Sequence, residues 1–373
     1  MSQKNPSSLP SFISDALAYS LDMTRQNLTS LDNFPELAKD GKWLCSDDGF
    51  WTGGHWTGLL WLAYAHTGDS TIEHAARKWT RRLTPRQHDT TTHDLGFLFE
   101  LSFLLGHKLT GDSSFKASAI QAARTLALRF NPKGKFFQAW GPLNGTPSER
   151  GRAIIDTMMN LDLLFWTTQE TGEKKFAEMA ITQAHTVLQR HVRSDWSTSH
   201  VTDFDPDTGE FIQQETAQGL SATSCWSRGQ AWAVYGFAKC YRETGNATFL
   251  DAAHHLAEYC LHRLPPDRVP YWDYDSPFIP DDVRDSSAAS ILASASLLLA
   301  TLDTANADCW HTEAMAMLES LWNSYGSRGT NEPCILLHGT RSKPEDSMDH
   351  GLIYGDYYFV EALTRLTKPE LRL

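Results

Sequence analysis

The chain has 373 residues, 41% hydrophobic and 21% charged, with a formal net charge of -12, enough apolar material for one large core or two ordinary ones. That acidic balance excludes a nucleic-acid surface, which needs a basic footprint. It leaves room for a small anionic ligand, because one arginine in a cleft can override the global field.

The opening stretch, MSQKNPSSLPSFISDALAYSLD, has no basic segment followed by an apolar run, so no secretory signal is expected. No run of about eighteen apolar residues marks a membrane span, and no Pro/Gly/Ser-rich linker divides the chain. The expectation is one soluble, cytoplasmic domain over residues 1–373, a monomer or weak homodimer with no membrane partner. The six cysteines, Cys45, Cys225, Cys240, Cys260, Cys309 and Cys334, are scattered without a C-x-x-C and read as buried free thiols. Among fifteen histidines only His254 and His255 adjoin each other, and H-E-x-x-H does not occur. Neither a metal nor a cofactor is implied.

Residues 43–58, WLCSDDGFWTGGHWTG, gather aromatic side chains ahead of an apolar helical stretch that ends in HTGDSTI (66–72). The same phrase returns as LTGDSSF (109–115), ETGEKKF (170–176) and ETGNATF (243–249), each between an apolar helical segment and an alanine-rich one. This is helix, glycine turn, helix, repeated. The glycines at 68, 111, 172 and 245 lie 43, 61 and 73 residues apart, too irregular for a solenoid with a fixed period. Degenerate copies at 286–306 and 351–370 bring the number of helical hairpins to six. Counting back 17, 17, 16 and 17 residues from the four glycines lands on Trp51, Asp94, Asp156 and Arg228. At 1.5 Å per residue each lies roughly 25 Å from its turn. If the first helices form an inner ring, these residues converge on one rim. The long loops 131–153, 192–227, 265–285 and 327–350 lie on that side, where sites are commonly built.

H-D-L-G-F (93–97) sets Asp94 beside His93 at a helix start, where a plain N-cap is the structural alternative. FFQAW (136–140) adds Trp140 to the aromatic residues, which could equally be core. In AIIDTMMNLDLLFWTTQETG (153–172) Asp156 sits among Ile154, Ile155, Met158 and Met159, and a helix would put Asp156, Asn160 and Leu163 on one face. Desolvation raises the pKa of such a carboxyl, so it can act as a proton donor near neutral pH. The alternative is a carboxylate complementing a helix dipole. SCWSRGQAWAVYG (224–236) places Arg228 and Trp232 at i, i+4, with Gly229 and Gly236 leaving room for close packing or a ligand; a structural cation-π pair is the alternative. Thirteen tryptophans around a few carboxylates suit sugar rings, whose apolar faces stack while their hydroxyls bond to carboxylates.

WTGGHWTGLLWLAYAHTGD, HDLGF, IIDTMMNLDLL, SRGQAWAVYGFAKCYRETG, RDSSAAS and GLIYGDYYFVEAL, spread in order over residues 43–363, resemble the unsaturated glucuronyl hydrolases of glycoside hydrolase family 88. The resemblance implies an all-α fold, an α/α toroid of six hairpins with inner and outer helix rings. It also implies removal of the 4,5-unsaturated uronic acid that polysaccharide lyases leave on oligosaccharides. By the same resemblance Asp156 is the acid/base and Asp94 the second essential carboxylate. His200, Gln218, Arg228 and Trp232 match uronate-binding positions, and Trp43, His93 and Trp140 match pocket residues. Ala217 departs from the pattern, since a His or Arg more often precedes that glutamine, so the preference at the neighbouring sugar is open. A related family acting on unsaturated rhamnogalacturonan lacks H-D-L-G-F. A sugar epimerase on the same barrel would use histidine pairs, and a helical-repeat binding protein would spread its polar residues along a concave face. The loop 331–350 carries Arg341, Ser342 and Lys343, a cluster that meets a sulfate or second carboxylate if it faces the rim and is otherwise a solvated tip.

Overall fold

The computed structural model describes residues 9–373. Its inner helices are Gly53–Thr67, a broken second member (Leu95–Phe99, a π-helical Glu100–Leu104 and Leu105–Thr110), Asp162–Thr171, Ser227–Thr244, Ser286–Leu302 and Ile353–Thr367. Each packs on its neighbours, and the last packs on the first, so the ring closes. Inner helices are buried all round: every residue from Gly53 to Ala63 and from Ser286 to Leu299 is inside. A helix apolar on all sides belongs in a core and needs a surrounding layer.

That layer is made of amphipathic helices. Ser70–Arg82 buries Ile72, Ala76, Trp79 and Thr80, one stripe at helical spacing. Thr80 also accepts the indole N–H of Trp61 at 3.0 Å, so the buried tryptophan leaves no orphaned donor. The four turn glycines adopt φ of +65°, +72°, +76° and +66°, the left-handed closure for which glycine has no steric penalty.

The sixth hairpin differs from expectation. Ile353–Thr367 is followed only by a short 3-10 turn, and its outer partner is Ser11–Ser30 from the other end of the chain. There Tyr19 packs edge-on against Trp322 with centroids 5.8 Å apart, and Asn27 donates to the Pro333 carbonyl at 2.7 Å.

Short strands, which an all-α reading did not include, build the rim opposite the turns. Phe34–Lys39 pairs with Lys42–Ser46 and with Gly351–Leu352. Arg152–Ile154 pairs with Val201–Phe204, which pairs with Phe211–Glu215, all antiparallel.

Candidate active site

The register of the second sheet sets the first contact of the site. Ile154 lies opposite Val201, and the Ile155 N–H donates to the His200 carbonyl at 3.0 Å. The chain then enters a 3-10 helix, Ile155–Asn160, with Asp156 in its first turn. This is tighter than the α-helix expected there. Asp156 Oδ2 thereby comes within 3.6 Å of His200 Nε2.

Asn160 ties this segment to the next inner element. Its Oδ1 accepts the Phe97 N–H at 3.0 Å, while its Nδ2 donates to the Asp156 carbonyl at 3.3 Å. A Cβ on Gly96 would stand 2.3 Å from Asn160 Cα, so only glycine lets the Asp94 and Asp156 elements approach this closely. Gly236 does the same on the other side, where a Cβ would meet Met158 Cβ at 2.4 Å. Its role is packing and not ligand clearance.

The two carboxyls sit in opposed environments. The Asp156 side chain is 13% exposed, and its Oδ2 is buried without a hydrogen-bond partner. Burial first, and then the nearby Asp94 charge, raises its pKa to about 6. Burial also acts on Asp94, but there it is outweighed by His93, Thr92 and Arg129, and the pKa falls below the ordinary value. His93 Nε2 lies 3.2 Å from Asp94 Oδ1, and Thr92 Oγ1 donates to Oδ2 at 2.9 Å. Asp94 does occupy the N-cap of Leu95–Phe99, yet its side chain makes no capping bond.

His200 is buried and its pKa lies well below the ordinary value, first from burial, with Arg228 and Arg152 among the neighbours that add to it. The backbone N–H groups of Ala217 and Gln218 both donate to its Nδ1 at 3.1 Å. The proton of this neutral ring is therefore assigned to Nε2, the nitrogen facing Asp156.

A cavity of about 560 Å3 opens over the pair, lined among others by Asp94, Asp156, Trp51, Trp140, Gln218 and Arg341. Around it the expected residues fall into three groups. Asp94, Asp156, Trp140 and Gln218 face the cavity. His93, His200 and Arg228 lie buried behind it: His93 Nδ1 is 2.8 Å from Thr157 Oγ1, and Arg228 Nη1 donates to Asp285 Oδ2 at 2.5 Å and to the Thr340 carbonyl at 2.6 Å. Trp43 and Trp232 stand off the cavity. Trp43 donates to Asn27 Oδ1 at 3.2 Å, and Trp232 packs against Phe97 and Tyr358 at 5.2 and 5.3 Å. The cation-π partners of Arg228 are Trp226 and Tyr354, at 4.5 and 5.2 Å, and not Trp232.

The basic cluster in loop 331–350 divides. Arg341 lines the cavity. Lys343 turns away to an ion pair with Asp282 and lies 5.3 Å from the rings of Trp272 and Phe278. Sequence reasoning missed Arg86, Asp48 and Asp89, which also line the cavity. Arg86 binds both acids, at 3.0 Å to Asp48 Oδ2 and 2.9 Å to Asp89 Oδ2. The only signal was SDDG and HDTTTHD, polar runs flanking helices. Among the described residues, the group able to offer three metal ligands is His254, His255 and Glu258 on the outer helix Ala247–Arg263. None of the three lines the cavity.

The model of Glycosyl Hydrolase Family 88 matches residues 20–269. An unsaturated glucuronyl hydrolase of Bacillus sp. (strain GL1) is 37% identical over 366 residues, covering 95% of this chain and 96% of the relative. An unsaturated chondroitin disaccharide hydrolase of Streptococcus pyogenes serotype M1 is 36% identical over 367 residues, with 95% and 91% covered. A solved structure of a UGL variant with dGlcA-Glc-Rha-Glc has a TM-score of 0.92 and 34% identity, with 95% of this chain and 97% of that chain covered.

Proposed function

Because the chain belongs to glycoside hydrolase family 88, we infer that it removes the 4,5-unsaturated uronic acid from the non-reducing end of lyase-generated oligosaccharides. The observation that carries the chemistry is a pair of cavity carboxyls with pKa values pushed apart, Asp156 up to about 6 and Asp94 down. Such a division separates a proton donor from a permanent anion.

The substrate is a vinyl ether, and its hydration needs one group that gives a proton and then takes one. Asp156 protonates C4, and the positive charge that develops is shared between C5 and the ring oxygen. Water adds at C5 and returns its proton to Asp156, leaving a hemiketal that opens and releases the remaining saccharide. No leaving group is protonated at C1, so this differs from hydrolysis by two carboxylates across the anomeric bond. Asp94, ionised, orients the ring hydroxyls and stabilises the cation. Gln218 faces the uronate from the cavity wall, while Arg228 supplies positive charge from beneath and Trp140 a face for stacking.

Loss of the ultraviolet absorbance of the conjugated uronate, followed across a panel of lyase-generated disaccharides, tests the reading. Turnover of at least one member by the intact chain supports it, and no change with any of them overturns it. All six cysteines are free thiols, four of them buried, which suits a reducing compartment and supports placement in the cytoplasm. No helix among the described residues is long and apolar enough to cross a membrane.

A further inference from the structure

Six residues beyond each site carboxyl the chain carries another acid: Glu100 follows Asp94, and Asp162 follows Asp156. One ammonium holds both. Lys239 Nζ pairs with Glu100 Oε1 and lies 3.2 Å from Asp162 Oδ2, with its side chain only 6% exposed. Lys239 stands eleven residues beyond Arg228 on the helix Ser227–Thr244, which at 3.6 residues per turn is about three turns along the same face. Below the rim, then, a single side chain joins the three inner-ring elements whose upper ends carry Asp94, Asp156 and Arg228. The wide π-helical turn starts at Glu100 itself. Arg242 completes the surroundings, its Nη2 lying 2.6 Å from Asp162 Oδ2, and the Tyr235 ring lies 5.0 Å from Lys239 Nζ.

A buried ion pair is poor evidence for stability, because well-packed apolar side chains commonly replace one without loss. What it supplies is geometry. Two helices that touch only through apolar faces can slide and rotate by fractions of an ångström, whereas a shared cation fixes both height and rotation. Reaction rates feel displacements of that size, and about 1 Å costs roughly a hundredfold.

We propose that Lys239 is a positioning residue for the reaction, setting the placement of Asp156 relative to Asp94 by tying Glu100 to Asp162. The proposal rests on Asp156 being the proton donor.

Two variants test it. Glu100→Met cuts the tie to the Asp94 element and leaves Lys239 paired with Asp162. Glu100→Met/Lys239→Met removes the link with charge balanced, and Asp162 keeps Arg242. For each, thermal unfolding, kcat, KM and the pH profile of kcat/KM are measured. The expected result is a folded enzyme whose kcat falls tenfold or more while KM stays within about threefold. The alkaline limb of its profile also moves by half a pH unit or more, because Asp156 changes its distance from Asp94, His93, His200 and Arg228. A purely structural contact would lower the melting temperature and leave kcat and the limb of the folded enzyme alone. Wild-type kcat and limb in either folded variant, or failure of both to fold, overturns the proposal. Asp156→Asn is assayed alongside. If it retains more than about a tenth of the activity, the reading of Asp156 itself is what fails. If it is inactive while the methionine variants behave as wild type, only the role of Lys239 fails.

Discussion

A carboxyl that titrates near pH 6 in the folded chain and near 3.9 when unfolded binds its proton more tightly in the folded state. The stability contributed by Asp156 is therefore fully present below about pH 4 and is lost as pH rises through about 6, when a charge must be held in a desolvated place. The difference between about 3.9 and about 6 corresponds to roughly 3 kcal/mol. Asp156→Asn should lower turnover by about two orders of magnitude or more and yet raise stability at pH 8 by up to that amount, read from urea unfolding at pH 5 and pH 8. In the wild type kcat/KM should fall above about pH 6 as the donor deprotonates. A gain in stability that is the same at both pH values would remove burial of the charge as its cause. Arg341 and Lys343 separate in the same residue-by-residue way. Arg341→Ala should weaken sulfated or doubly acidic disaccharides selectively, by about 1–3 kcal/mol in kcat/KM. Lys343→Ala should leave selectivity alone and cost stability by unpairing Asp282, whose carboxyl is held at about 2. Equal rates on sulfated and unsulfated substrates before and after Arg341→Ala would return that arginine to the scaffold.

Convergence of four side chains on one rim was legible in the sequence because turn glycines and helix periodicity are local signals, and the offset from Gly68, Gly111, Gly172 and Gly245 measures height along a helix. What lies between helices was not. The strands Val201–Phe204 and Phe211–Glu215 had a local cue in the alternation around DPDTGE, but the pairing of Val201–Phe204 with Arg152–Ile154 is long-range, and it is this pairing that sets His200 beside Asp156. Arg228 shows the same limit. Its place on the inner helix followed from spacing, whereas its bonds to Asp285 and to the Thr340 and Arg341 carbonyls join elements far apart in the chain. Those bonds make it a clamp that holds loop 331–350 over the cavity. Arg228→Ala should raise KM and also destabilise the fold by about 3–5 kcal/mol, because Asp285 is left buried and uncompensated. Adding Asp285→Asn should recover much of the stability and none of the KM. Recovery of both by the double variant would mean that Arg228 serves the fold alone.

At the scale of the whole molecule the cavity depends on ring closure, since its walls come from elements all round the ring. Dialysis against a chelator is expected to leave the rate unchanged, since Asp94 is held by His93 and Thr92, and Asp48 and Asp89 by Arg86, and a loss restored by a divalent cation would contradict this. The inner ring closes where Ile353–Thr367 packs on Gly53–Thr67, and Ser11–Ser30 covers that side by packing on Ile353–Thr367 and Ala307–Ser324. Asn27 is the joint: it is buried, donates to the Pro333 carbonyl and accepts from Trp43, so one amide binds the first helix to the rim hairpin and to the loop before the last inner helix. A ring whose members each need two neighbours has no free-standing half, and residues 9–373 should unfold as one cooperative unit. Calorimetry should give one transition with equal calorimetric and van't Hoff enthalpies. Asn27→Ala should shift that transition down by about 1–3 kcal/mol, the cost of leaving buried partners unsatisfied, without splitting it. Two resolved transitions, or a chain lacking residues 1–30 that melts at the wild-type temperature, would show that the barrel holds without its terminal strap.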